Sequence, residues 1–129
     1  MRGAAAALLT ARLLIGALMV GGAMQKTLSP DDAGGLLTGM GLPYALVWPA
    51  LIYDAAAGLA LWLGIAVRPV AVTASVYCAV TSFFHLDVFL TTGDSWQMTI
   101  FGKNWAIAGG CLALAVAGSG PWAVRPDRP

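Results

Sequence analysis

Lys26, Asp54, His85, Lys103 and Asn104 are the side chains of this sequence best equipped for acid–base and hydrogen-bond chemistry, and all lie in or beside long apolar runs. An ammonium, a carboxylate, an imidazole and an amide can together donate and accept hydrogen bonds and pass protons. Gathered in one place, they would hold a carbonyl-bearing head group, with Asn104 orienting it. Arg12 and Asp87 add two further ionisable groups to the same runs. Such groups are costly in hydrocarbon and persist where they pair inside a bundle or serve a function. Two readings stand at this point: a ligand site, or a polar network of ion pairs that fixes helix register.

The elements that must position these groups follow from composition. The 129 residues are 59% hydrophobic and 10% charged, with a mean hydropathy of +0.78, too few polar residues to clothe a soluble globule. A bilayer-crossing helix needs about 20 mostly apolar residues. Four fit, at about 5–26, 43–66, 69–90 and 98–120. The expectation is an all-α integral membrane four-helix bundle, a single transmembrane domain over 1–129 with no room for a separate soluble domain. A cleaved signal peptide ending at Gly21-Gly22-Ala23 is the rival for the first segment, but Arg12 interrupts its apolar run.

A net charge of +1 with no cluster of Lys and Arg excludes nucleic acid as a partner. The distribution of charge is more informative. Arg2, Arg12, Arg68, Arg125 and Arg128 mark the two termini and the second connection, whereas Asp31, Asp32, Asp87 and Asp94 mark the first and third. The positive-inside rule then places both termini in the cytoplasm of a multi-pass protein.

Along the first helix, Arg12, Gly16, Met19, Ala23 and Lys26 recur at spacings of four and three, hence on one face. Ser29-Pro30-Asp31-Asp32 reads as a turn and helix start, with a short interfacial helix over about 33–40. Pro49 lies inside the second apolar run and predicts a kink there; Tyr44 and Trp48 suit a membrane–water interface. Arg68-Pro69 reads as a tight cationic connection opening the third helix. Gly109, Gly110 and Gly118 are expected to let a neighbouring helix approach closely.

Antiparallel neighbours place residues equidistant from a tight turn at similar heights. His85 then comes level with Lys103 and Asn104, Cys78 with Cys111, and Asp54 with Ser82. Lys26, Asp54, His85, Asp87, Lys103 and Asn104 are expected to converge in the outer half of the bundle. Arg12, about 20 Å below Lys26 on the same face, would cap the floor of a polar cavity or pair with Asp54. Asp87 and Lys103 also suit a solvated position at the interface.

Phe83-Phe84, Trp96, Phe101 and Trp105 near His85 suggest aromatic walls for a flat, partly apolar ligand, a quinone head group being the natural candidate in a membrane; they equally suit an interfacial belt. Cys78 and Cys111 lack any metal-ligand spacing. Their matched heights permit a redox pair, and burial as small hydrophobes is the competing reading. With one histidine and no cysteine cluster, no haem, zinc or iron–sulfur centre is expected.

In order along the chain stand a Gly-rich end of helix one running into Lys26, Gly41-Leu42-Pro43, an acid followed by Gly58-Leu59-Ala60-Leu61-Trp62-Leu63-Gly64, Arg68, Phe84-His85, Lys103-Asn104 with Gly109-Gly110, and Gly118-Ser119-Gly120. In this succession the chain resembles the DoxX family of small four-helix membrane proteins, with its DoxD-like and MauE-like members. The resemblance implies a bacterial cytoplasmic-membrane protein linked to redox chemistry: the DoxD type is the membrane subunit of a thiosulfate:quinone oxidoreductase, and the MauE type assists disulfide formation in a periplasmic dehydrogenase. The chain departs from the pattern at Asp54, where Glu is commoner, and in its tail, Pro121 to Asp127.

The functional expectation is a small subunit of a quinone-linked oxidoreductase complex. It would bind quinone non-covalently through Lys26, Asp54, His85, Lys103 and Asn104, its partners being lipid and other membrane or periplasmic redox subunits, with a second copy of the chain a further candidate. The alternative is a non-catalytic accessory or scaffold subunit whose small-residue faces pack on larger membrane partners.

Overall fold

Backbone groups in hydrocarbon find partners only within their own helix or a closed barrel, so long apolar runs become helices. In the computed structural model, which describes residues 1–128, the elements are α1 (Arg2–Leu28), a short α2 (Pro30–Gly39), α3 (Val47–Leu63, entered through a 3-10 turn at Tyr44–Leu46), α4 (Val67–Thr92) and α5 (Ser95–Ala117). All but α2 are long and apolar enough to cross a membrane. Among the described residues there is no strand, only an isolated bridge between Ile65 and Arg125.

The ends of these helices carry their own explanations. Pro30 opens α2, and Asp31 and Asp32 lie in its first turn, where carboxylates meet the positive end of the helix dipole. Tyr44 Oη donates to Asp31 Oδ1 at 2.6 Å, and its ring occupies the space beside Gly34 that a side chain would need. Tyr44 thereby pins α2 to the entrance of α3. Gly93 closes α4 with a positive φ of 73°, and Asp94 caps α5 by accepting from the Trp96 N–H at 3.0 Å.

Two expectations about proline are corrected. Pro49 does not kink a longer helix: α3 starts at Val47, so Pro49 is its third residue. The second connection is not Arg68-Pro69 but Gly64-Ile65-Ala66, and Pro69 is the third residue of α4. The physical reason is shared, because first-turn N–H groups lack a helical partner and proline forfeits nothing there.

The bundle consists of two tight pairs, α1 with α3 and α4 with α5, joined by thinner contacts. The first pair meets where Gly16 and Gly58 face each other. A Cβ on Gly58 would lie 2.9 Å from the Gly16 carbonyl oxygen and 2.6 Å from Val20 Cγ2. Gly109 and Gly110 do not serve this purpose, since nothing lies within 4 Å of the space their side chains would fill. They face outward, and the small-residue crossing belongs to α1 and α3.

Leu61, Val67, Ala71 and Leu114 form the apolar core, flanked by Leu8 and Ile15. All lie toward the end of the bundle that holds the chain termini. The tail folds across that same end. Val124 N donates to the Leu63 carbonyl at 2.8 Å, Arg12 donates to the Trp122 carbonyl, and Ser119 and Asp127 exchange two hydrogen bonds at 2.9 and 3.0 Å. Arg68 Nη1 donates to the Val116 carbonyl at 2.9 Å, at the last turn of α5. The opposite end, beneath α2, is hollow.

Candidate functional site

The face of α1 expected from spacing is the one that turns inward: Arg12, Gly16, Met19 and Ala23 are buried, and Lys26 is half-buried. Its last turn brings Lys26 Nζ to 2.6 Å from Asp54 Oδ2 on α3. Asp54 is only 2% exposed, and Gly22, one turn before Lys26, leaves the space this carboxylate needs. A Cβ there would stand 2.9 Å from Asp54 Oδ2. Burial without the ammonium would leave a carboxylate unpaired in a medium that cannot solvate it. The two residues therefore hold each other in place.

This pair forms one wall of a cavity of about 470 Å³ between the two helix pairs. Tyr77, Cys78, Thr81 and His85 of α4 face it, with Asn104 of α5. Ala33, Leu36 and Leu37 of α2 cover its mouth. His85 Nδ1 is 2.7 Å from Gln97 Oε1 in the first turn of α5, and Tyr77 stacks at a tilt on Tyr53, ring centroids 4.8 Å apart. A mostly apolar chamber with a few convergent polar groups is the form of a small-molecule site. Its chemistry comprises an ammonium–carboxylate pair facing an imidazole and an amide, able to hold an oxygen-bearing ring and to accept or return protons.

The structure thus brings together Lys26, Asp54, His85 and Asn104. It leaves out three other expected members. Lys103 is exposed and does not line the cavity, because consecutive helix residues point about 100° apart and Asn104 is the one turned inward. Asp87 is half-buried and also lies outside the cavity wall; among the described residues neither has a salt bridge. Arg12 neither floors the cavity nor reaches Asp54. It is fully buried at the opposite end, donating to the carbonyls of Leu61 and Trp122.

The aromatic walls are also corrected. Phe83, Phe101 and Trp105 form an edge-to-face cluster, but Phe83 and Trp105 point outward and Trp96 is exposed, as belt residues would be. The rings that do reach the cavity are Phe84 and Tyr77. Cys78 and Cys111 are buried free thiols, and Cys78 alone of the two faces the cavity.

Tyr77, Thr81 and Gln97 were not among the candidates, although spacing marks them. Tyr77, Thr81 and His85 recur every four residues on α4, and Gln97 stands seven before Asn104 on α5. Each set forms a polar stripe on an otherwise apolar helix.

Helices of membrane-crossing length around a partly polar chamber define a multi-pass α-helical membrane protein with an internal cavity. The profile of the DoxX family matches residues 7–86, and the chain belongs to the DoxX family. The matched stretch includes Lys26, Asp54 and His85 and stops short of Gln97 and Asn104. Comparison with curated proteins and with solved structures gave no significant match.

Proposed function

We propose that the chain is a membrane subunit of a quinone-linked redox complex in the bacterial cytoplasmic membrane, with both termini in the cytoplasm, and that its cavity holds a quinone head group. The observation that carries this reading is the buried Lys26–Asp54 pair, 2.6 Å apart, set across an apolar chamber from His85 and Asn104. A pair that served only register would not need a chamber of about 470 Å³ beside it. Within the site, Lys26 donates to a ring oxygen, Asn104 orients the ring, and Asp54 and His85 exchange protons with it. The resemblance to DoxD-like proteins supports the quinone as ligand.

The test is purification in mild detergent with extraction of bound quinone. The wild-type chain is expected to carry quinone, and His85→Ala or Asn104→Leu to lose most of it while the bundle stays folded. Quinone retained by both variants would overturn the reading.

One observation favours a second reading, a non-catalytic accessory subunit. The outward face of α5 presents Gly102, Gly109 and Gly110 with nothing against them, a surface on which another membrane helix would pack closely. That reading predicts a chain that co-purifies with larger membrane subunits and carries no quinone.

A further inference from the structure

Neutral imidazole carries one proton, and the partner of one ring nitrogen decides which nitrogen holds it. Nδ1 of His85 lies 2.7 Å from the side-chain oxygen of Gln97. An amide oxygen only accepts, so Nδ1 bears the hydrogen and Nε2 is left with a lone pair. His85 lines the cavity and Gln97 does not. The bonded edge of the ring is therefore turned toward α5, and Nε2 is the polar atom left for a ligand.

We infer that Gln97 is a positioning residue that fixes His85 as a hydrogen-bond acceptor, so that the cavity takes the hydroquinone form of its ligand in preference to the oxidised quinone. The inference rests on the cavity being a quinone site, as proposed above. A hydroquinone presents an O–H to Nε2; a quinone would set a carbonyl lone pair against another lone pair. The remaining polar groups do not choose between the two forms. At the opposite wall Lys26 donates and Asp54 accepts, the Gln25 and Asn104 amides each offer one group of each kind, and the Tyr77 and Thr81 hydroxyls can each donate or accept. Discrimination therefore falls on His85, and Gln97 controls it without touching the ligand.

His85 is the single histidine of the chain, which makes the test direct. In the full chain in lipid nanodiscs, labelled with nitrogen-15 histidine and held above the titration range of imidazole, proton–nitrogen correlation spectra identify which ring nitrogen bears the hydrogen. A protonated Nδ1 is expected in the wild type, and a mixture of the two forms in Gln97→Leu. Binding of a short-chain benzoquinol and of the matching benzoquinone is then measured on the same samples. The quinol is expected to bind about tenfold more tightly, the worth of one good hydrogen bond against a mismatched one. Gln97→Leu frees the form with hydrogen on Nε2 to donate to a quinone carbonyl, so it should reduce that ratio toward one chiefly by tightening quinone binding. A protonated Nε2 in the wild type, or a quinone bound as well as the quinol, overturns the inference. If neither form binds, the quinone reading fails and the preference with it; the ligand-free tautomer spectrum separates that failure from failure of the Gln97 lock.

Discussion

At the scale of single residues, the decisive fact is that two opposite charges share a place where either alone would be intolerable. Asp54 is 2% exposed, and its partner Lys26 reaches it at 2.6 Å. Removing one member of such a pair strands the other, a loss of about 3 kcal/mol or more, whereas replacing both with apolar residues of similar volume is close to neutral. Asp54→Ala is therefore expected to lower the thermal midpoint in detergent sharply, and the double variant Lys26→Met with Asp54→Leu to recover most of it. If the double variant melts as low as the single one, the pair is not what stabilises this part of the bundle. The double variant should still bind no quinone, which separates the ligand role from the structural one. Lys26 and Asp54 were legible as members of one outer-half cluster but not as each other's partner: the pairing read for Asp54 was with Arg12, and height alone does not say which cation reaches it. Lys103 was misplaced for want of rotational information: a height argument cannot tell position 103 from position 104, yet one faces out and the other in.

At the scale of elements, the pairing of α1 with α3 depends on Gly16 and Gly58, which allow the two backbones into contact. Filling that crossing must push the helices apart or force side chains off their preferred rotamers, typically at about 1–3 kcal/mol. Gly58→Val is expected to destabilise the protein by that amount in thermal or denaturant unfolding. Gly109→Ala on the open face of α5 should have no more than a few tenths of the effect. Equal losses in the two variants would contradict the assignment of the crossing to α1 and α3. The helices themselves were readable from length and hydropathy, and the inward face of α1 from its spacing of three and four. The ends were harder to place. Pro49 and Pro69 each proved to be the third residue of a helix, and sequence alone does not say whether a proline starts a helix or bends one already under way. The outward position of Gly109 and Gly110 was equally hidden, since a small residue suits a helix crossing and a lipid-facing surface alike.

At the scale of the whole molecule, the proposed orientation places α2 and the α4–α5 connection outside the cell and both termini inside. Cysteine labelling tests this without reference to any ligand. In a background with Cys78→Ser and Cys111→Ser, Ser95→Cys is expected to react with a membrane-impermeant maleimide on intact cells, and Arg128→Cys only after lysis. The reverse pattern would invert the molecule and place the mouth of the cavity at the cytoplasmic face. The arginines suggest this orientation, and the heights of the ionisable groups suggested a polar cavity in the outer half; the size of the chamber was not readable, because its volume arises from how thinly the two helix pairs touch, a property of packing that no local pattern encodes.

The folded tail gives this asymmetry a mechanical meaning. Through Val124 on Leu63 and Arg12 on Trp122, the segment after α5 fastens the first helix pair to the second, and Arg68 anchors the last turn of α5 from the start of α4. All of these fastenings sit at one extremity. The molecule is built like a clothes-peg, riveted at the end that holds the apolar core, while at the other the short α2 touches both pairs; a widening of the cavity that swung about the rivet would leave both helix pairs intact.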